Sequence, residues 1–216
     1  MPCLQDWHEE AGSTKSEYFC QDLLVARKIF EAEPQRHVDI GSRLDGFVAH
    51  VASYREIEVF DVRPMTSQIP GIVFREEDLM KTMDTNSPKT EYCDSLSCLH
   101  AIEHFGLGRY GDAVDPLGYE RGIANMALLL KPGGRLYLST PVGQERVEFN
   151  ANWVFDPLRI KRCGEENALY LSEMMSINAT GEAKEVQLNT QSLQSLADEH
   201  YNLGLFIFIK KELNQE

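Results

Sequence analysis

The stretch HVDIGSRLDGF, residues 37–47, decides how the rest of the chain is read. Val38 and Ile40 flank Asp39 in a short apolar run. The chain then breaks at Gly41 and again at Gly46, and an apolar helix-like run over 47–54 follows. A buried strand, a tight turn and a helix produce this order. Such a unit seats nucleotide-like cofactors at the carboxyl end of its strand.

Working outward, the alternation repeats. EVFD (58–61) is read as the second strand, IVFR (72–75) as the third after the Pro70-Gly71 turn, and YCDSLSCL (92–99) as the fourth. A helix over 118–130 is closed by Lys131-Pro132-Gly133-Gly134, and RLYLST (135–140) is the fifth strand, stopped by Pro141. Residues 143–163 read as irregular, 169–177 as a strand, 192–201 as a short helix, and 203–210 (LGLFIFIK) as the last strand. Residues 81–91 read as a surface loop. The pattern predicts an α/β, Rossmann-like fold, with a mostly parallel seven-stranded sheet and helices on both faces.

Upstream, Thr14 and Glu17 have capping-box spacing. Phe19, Leu23, Ala26 and Phe30 recur at helical steps, so a helix over 16–31 is expected to bury that face. Residues 1–12 read as a loosely held arm. The expected organisation is an N-terminal arm and helix over 1–36 and a single domain over 37–216.

Composition bounds the function. The 216 residues suit one α/β domain, and 43% hydrophobic content supports a full core. The net charge of −13, from 34 acidic and 21 basic residues, disfavours nucleic acid and anionic membranes as partners. Five cysteines, an odd number with no zinc spacing, point to a reducing, cytoplasmic setting. No apolar leader or membrane-length run is visible.

Four motifs in this order resemble the class I S-adenosylmethionine-dependent methyltransferases: VDIG (38–41), EVFD (58–61), YCDSLSCLHAIEHF (92–105) and LLLKPGGRLYLSTP (128–141). The last is the most specific. The GSRLDGF turn also resembles a subgroup of methyltransferase-like proteins, some found with surface-polysaccharide biosynthesis. The resemblance implies S-adenosyl-L-methionine as cofactor and a small soluble methyl acceptor, with a sugar or nucleotide-sugar first among the candidates.

It also implies roles for particular residues. Gly41, without a Cβ, lets backbone approach the cofactor. Asp39 holds the methionine ammonium or only satisfies turn N–H groups. Asp61, about 20 residues after Gly41, accepts from the ribose hydroxyls or pairs with Arg63. Asp78 accepts from the adenine amino group, or caps a helix, and Leu79 packs the ring. Gly46 and Cys98 complete the cofactor set. Arg43 and Asp45 stand where the family has further glycines, so Arg43 either reaches the cofactor carboxylate or pairs with Asp45.

His104 is the candidate base and Glu103 orients it or binds the substrate, or the two only cap the following loop; His100 is a packed or cofactor-adjacent residue. HAIEH also fits an inverted zinc-protease signature, but it ends a strand here rather than lying on a helix, so no metal is expected. Arg109 and Tyr110 in the Gly-rich loop 106–115, and Arg146, Asn150, Asn152 and Trp153 after the fifth strand, are candidates for acceptor recognition. The loop 106–115 has the composition of a movable lid. Two rival readings remain: a methyltransferase-like module that binds cofactor or partner without turnover, and an oxidoreductase, for which G-x-G-x-x-G is missing.

Overall fold

The structure, a computed structural model, describes residues 7, 12, 14–83, 85 and 87–212. The expected arm over 1–12, with Cys3, lies outside the described residues apart from Trp7 and Gly12. Ten strands and five α-helices follow in the order α1 (Glu17–Ala32), β1 (His37–Ile40), α2 (Ala49–Ala52), β2 (Ile57–Asp61), β3 (Ile72–Glu76), β4 (Cys93–Leu99), α3 (Gly118–Leu129), β5 (Leu130–Val142), β6 (Arg146–Glu148), β7 (Asn152–Val154), α4 (Pro157–Glu166), β8 (Leu169–Ile177), β9 (Ala183–Glu185), α5 (Thr190–Ala197) and β10 (Asn202–Lys210). A wide helical turn over Leu44–Val48 precedes α2, and a single tight turn over Ile102–His104 follows β4.

The main sheet runs β3-β2-β1-β4-β5-β10-β8-β9. The first five strands in that order are parallel; β10, β8 and β9 each pair antiparallel. The sheet has eight strands rather than seven because the three-residue β9 adds to the edge at β8. Side chains alternate faces along each strand. In β10, Phe206 and Phe208 enter the core with Ile123, Met126 and Ile160, while Leu205 and Ile207 pack with Val25, Ile29, Phe47 and Val51. Burial on both faces explains why this strand reads as a continuous apolar run.

Four local readings change. Ser16, not Thr14, caps α1, its hydroxyl accepting from Phe19 N at 3.1 Å. The buried face of α1 is Asp22, Val25, Ala26 and Ile29, while Phe19, Leu23 and Phe30 are exposed. Polar Gln21 and Asp22 face inward because they have partners there: Ser139 Oγ of β5 donates to Gln21 Oε1 at 2.6 Å, and Gln21 Nε2 donates to Asp22 Oδ1 at 3.2 Å. The KPGG segment is a bulge inside β5, since Leu130 lies beside Cys93 and Arg135 beside Ser95. Residues 143–163 are ordered as the β6–β7 hairpin and α4, with Asp156 as cap and Pro157 in the first turn.

Under the opening turn lies a buried polar ladder. Ser42 N and Ser42 Oγ donate to Asp39 at 3.0 and 2.6 Å, and Ser97 Oγ donates to Asp39 Oδ1 at 2.5 Å. With its hydrogen given to Asp39, Ser97 Oγ accepts from His37 Nε2 at 3.1 Å, so His37 Nδ1 accepts from Ser95 Oγ at 2.8 Å. Burial pushes His37 down from 6.5 to about 3 and Asp39 up from 3.8 to about 6, the latter against the pull of its serine donors.

Two outcomes are expected. Ser97→Ala strips a partner from both His37 and Asp39 and lowers unfolding free energy by about 2–4 kcal/mol in urea titrations; a loss under about 0.5 kcal/mol contradicts the ladder. The His37 contribution is intact above pH 6.5 and is lost as pH falls toward about 3, because the folded ring resists the proton that the unfolded one takes. Asp39 acts in the opposite sense, its contribution full below 3.8 and lost as pH rises through about 6. In NMR titrations the His37 ring stays neutral from about pH 8 to 5, and a midpoint near 6.5 would contradict its burial.

Candidate functional site

The carboxyl ends of β1, β2, β3 and β4 converge on one cavity of about 280 Å³. Its floor is the turn after β1. Gly41 has φ +68°, and a Cβ there would lie 3.2 Å from the Ala101 Cβ. Gly41 N donates to Phe60 O at 2.9 Å, which fixes the turn against β2. Backbone therefore forms the wall at Gly41, as a closely approaching ligand requires.

Asp61 ends β2 at the cavity wall, and its carboxylate is already held. Arg63 donates to it from Nε at 2.9 Å and Nη2 at 2.6 Å, and Arg63 N donates to Oδ1 at 2.8 Å. The Tyr110 ring covers the Arg63 guanidinium at 4.7 Å. Arg43 also lines the cavity and makes a two-pronged pair with Asp45, at 3.1 and 2.9 Å. Asp78 and Leu79 follow β3 on the next wall. Asp78 Oδ1 accepts from Met80 N at 2.9 Å, and Asn125 of α3 donates to Leu79 O and Lys81 O at 2.6 and 2.7 Å, so this segment is pinned from the helix layer.

The opposite wall comes from the residues after β4. His100 has φ +51°, an uncommon backbone for a non-glycine residue. It is held by His100 N donating to Ser139 O and to Ser139 Oγ, each at 3.1 Å. His100 Nδ1 lies 3.0 Å from Glu103 Oε1, and Thr140 Oγ1 donates to Glu103 Oε2 at 3.5 Å. His104 Nδ1 lies 2.7 Å from Ala151 O. A carbonyl only accepts, so the proton sits on Nδ1 and Nε2 keeps the lone pair. Arg109 approaches the same Nδ1 at 3.2 Å, but two donors cannot bond each other; its partner is Ala151 O at 2.8 Å. Burial lowers the His104 pKa below 6.5, against the pull of Glu103.

The 106–115 loop is knotted rather than loose. The Asp112 carboxylate accepts from Gly106 N, Gly108 N and Tyr110 N at 3.2, 3.3 and 3.0 Å. Gly106 has φ +78°, and a Cβ there would fall 1.9 Å from Asp115 O.

Of the residues singled out from the sequence, Gly41, Arg43, Asp61, Asp78, Leu79, His100, Glu103, His104, Arg109, Tyr110 and Asn152 are brought to this cavity. Six others are placed elsewhere. Asp39 is buried beneath the turn with its serine donors. Gly46 faces Asp22, whose Oδ2 would lie 2.5 Å from an added Cβ. Cys98 is sealed in the core, where burial raises its thiol well above the ordinary value. Arg146 donates to Gln144 O and His200 O and pairs with Glu148, tying the hairpin to the chain before β10. Asn150 is exposed at the hairpin turn, and Trp153 packs with Tyr119 and Phe155.

Tyr18 and Tyr201 also line the cavity and were not singled out. They come from the start of α1 and the residue before β10, so no local motif marks them. Among the described residues, no group of His, Cys, Asp or Glu is placed to hold a metal ion, and no helix is long and apolar enough to cross a membrane.

The fold is that of class I methyltransferases. It is similar to NodS, an N-methyltransferase from Bradyrhizobium japonicum WM9 in complex with S-adenosyl-L-homocysteine, with TM-score 0.59, 15% identity, and coverage of 91% of this chain and 89% of that one. It is similar to the 1,6-didemethyltoxoflavin-N1-methyltransferase of Burkholderia thailandensis, solved with 1,6-didemethyltoxoflavin and S-adenosylhomocysteine, with TM-score 0.57, 11% identity, and coverage of 88% and 79%. It is also similar to magnesium protoporphyrin IX methyltransferase from Synechocystis PCC 6803 with bound SAM, with TM-score 0.55, 11% identity, and coverage of 88% and 78%. No curated protein matches the chain in sequence. Residues 72–211, which run from β3 through the last strand and include the walls built by Asp78, Glu103 and His104, match the family described as Caenorhabditis protein of unknown function, DUF268, and the chain belongs to that family.

Proposed function

We propose that the chain is an S-adenosylmethionine-dependent methyltransferase acting on a small acceptor. One observation carries the reading: a glycine turn, an acid at the end of β2, an Asp-Leu pair after β3 and a His-Glu pair after β4 line a single cavity at the strands' carboxyl ends. Asp61 takes the ribose hydroxyls after Arg63 releases it. Asp78 takes the adenine amino group and Leu79 packs the ring. Gly41 presents backbone to the methionine portion. Arg43 turns from Asp45 to the carboxylate. Asp39 acts from below, by holding the turn in shape.

When bound, S-adenosylmethionine supplies a methyl group made electrophilic by its positive sulfur. The chain then has to orient the acceptor in line with that methyl and take up a proton. His104 Nε2 accepts the proton of an acceptor hydroxyl, and Glu103, 3.9 Å away, stabilises the imidazolium that results. Tyr110 and Arg109 border the acceptor's path. A sugar or nucleotide-sugar acceptor, a link to surface-polysaccharide assembly through the GSRLDGF turn, and a cytoplasmic location belong to the same reading. A module that binds without turnover is the second reading, favoured by the Arg63 side chain already seated on Asp61.

Calorimetric titration separates these readings from an oxidoreductase: S-adenosylhomocysteine binds and NAD does not, whereas NAD binding alone would sink the proposal. Asp61→Ala weakens S-adenosylhomocysteine by about 10–100-fold. His104→Ala lowers turnover by about 10²–10⁴-fold with cofactor affinity unchanged; retained turnover would remove His104 from the chemistry. Nitrogen-15 spectra show the Nδ1–H form of His104. Because burial depresses the His104 pKa, the acid limb of kcat has its midpoint below pH 6.5.

A further inference from the structure

Two segments far apart in the chain meet at one carbonyl. Ala151 closes the turn between β6 and β7, where its N donates to Glu148 O at 2.8 Å. Its oxygen accepts from His104 Nδ1 at 2.7 Å and from Arg109 Nη1 at 2.8 Å. A carbonyl oxygen has two lone pairs, so both donors are satisfied. They stand side by side, with Nη1 3.2 Å from Nδ1. A guanidinium is always charged, so His104 has a permanent cation against the edge of the ring that carries its hydrogen.

Arg109 is held in that place. Asp112 accepts from Gly108 N and Tyr110 N, which fixes the backbone on both sides of Arg109. The Tyr110 ring lies 5.3 Å from the guanidinium and meets the His104 ring edge-on, with centroids 5.6 Å apart. Arg43 and Arg63, which also line the cavity, pair with Asp45 and Asp61. The bond from Arg109 goes to an uncharged carbonyl, so its partner does not cancel its charge.

The groups around His104 oppose one another. Burial lowers its pKa most. Glu103, 3.9 Å from Nε2, and the Ala151 carbonyl raise it, while Arg109 and His100 lower it. Tyr110 also lies against the ring. With its hydrogen on Nε2 instead, Nδ1 and Ala151 O would be two acceptors 2.7 Å apart, so the ring keeps Nδ1–H. A second proton, on Nε2, puts an imidazolium 3.2 Å from the guanidinium, and like charges at that range repel.

We propose that Arg109 is a positioning residue for His104: by sharing the Ala151 carbonyl with Nδ1 and holding a fixed charge beside it, it keeps the ring neutral with Nε2 free to receive a proton. The inference rests on His104 as the base of the methyl transfer proposed above. Arg109 then acts through His104, and the 106–115 loop and the β6–β7 hairpin form one unit that sets the base.

The test is a pH titration by NMR of the full chain, labelled with nitrogen-15 at histidine, unaltered and as Arg109→Lys, Arg109→Gln and Arg109→Ala. Arg109 is exposed, so these changes leave the core intact. Glutamine keeps a donor for Ala151 O and removes the charge; lysine keeps the charge. Arg109→Gln and Arg109→Ala shift the His104 protonation equilibrium about twofold or more toward the imidazolium, and Arg109→Lys stays near the unaltered chain. Salt at about 0.5 M narrows the difference. An unchanged equilibrium in Arg109→Gln or Arg109→Ala, or a shift in Arg109→Lys as large as in Arg109→Ala, overturns the proposal. Calorimetry with S-adenosylhomocysteine on the unaltered chain separates the two readings. Binding without the expected shifts overturns this inference alone; the expected shifts without binding overturn the methyltransferase reading.

Discussion

The carboxylate of Asp39 organises the site without lining it. It sits in β1 between Val59 of β2 and Ser97 of β4, and it accepts from both the backbone and the hydroxyl of Ser42. Ser42 Oγ in turn accepts from Leu99 N at 3.0 Å, which ties the turn to the end of β4. Through these bonds one buried group sets where Gly41 turns, how close Ala101 approaches, and where His100, Glu103 and His104 begin. Fully removing a carboxylate from water is unfavourable, and its pKa rises to about 6 even with three donors. That penalty is tolerated because the donors are local and rigid, and because His37 extends the ladder through Ser97.

The cavity presents two internal ion pairs, Asp61 with Arg63 and Arg43 with Asp45. Arg43 and Asp45 are both exposed, so exchanging that pair involves modest energies, whereas the nearly buried Asp61 gives up Arg63 only to a ligand that replaces its donors. Tyr110 adds a ring to the Arg63 side, and Asp112 fixes the loop that carries it. A ligand that seats on Asp61 therefore has to move a side chain rather than melt a loop. In the turn after β1, Arg43 has a local partner in Asp45.

Much of the fold was legible because strands buried on both faces are short apolar runs and their turns carry Gly and Pro. The boundaries of β8 coincide with the apolar run at 169–177. What was not legible has physical causes. The apolar stripe Phe19, Leu23 and Phe30 suggests one face of α1, yet the helix buries the face carrying Gln21 and Asp22, because Ser139 donates to Gln21 and Gln21 donates to Asp22, partners that no local pattern reveals. The β6–β7 hairpin is short and polar, so its alternation is weak. In the candidate site, residues at strand ends were legible from motif spacing, while Cys98 and Trp153 belong to packed apolar layers. Tyr18 and Tyr201 reach the cavity only through tertiary folding; the Glu17–Tyr201 bond spans 184 positions.

In the proposed function Asp61 seats a ribose in the place now taken by Arg63. A crystal structure of the chain with S-adenosylhomocysteine tests it directly. The predicted result has both ribose hydroxyls on the Asp61 carboxylate, the Arg63 guanidinium displaced from it, and the adenine against Leu79. A structure in which Arg63 remains on Asp61 and the ligand lies elsewhere, or is absent at saturating concentration, would contradict it.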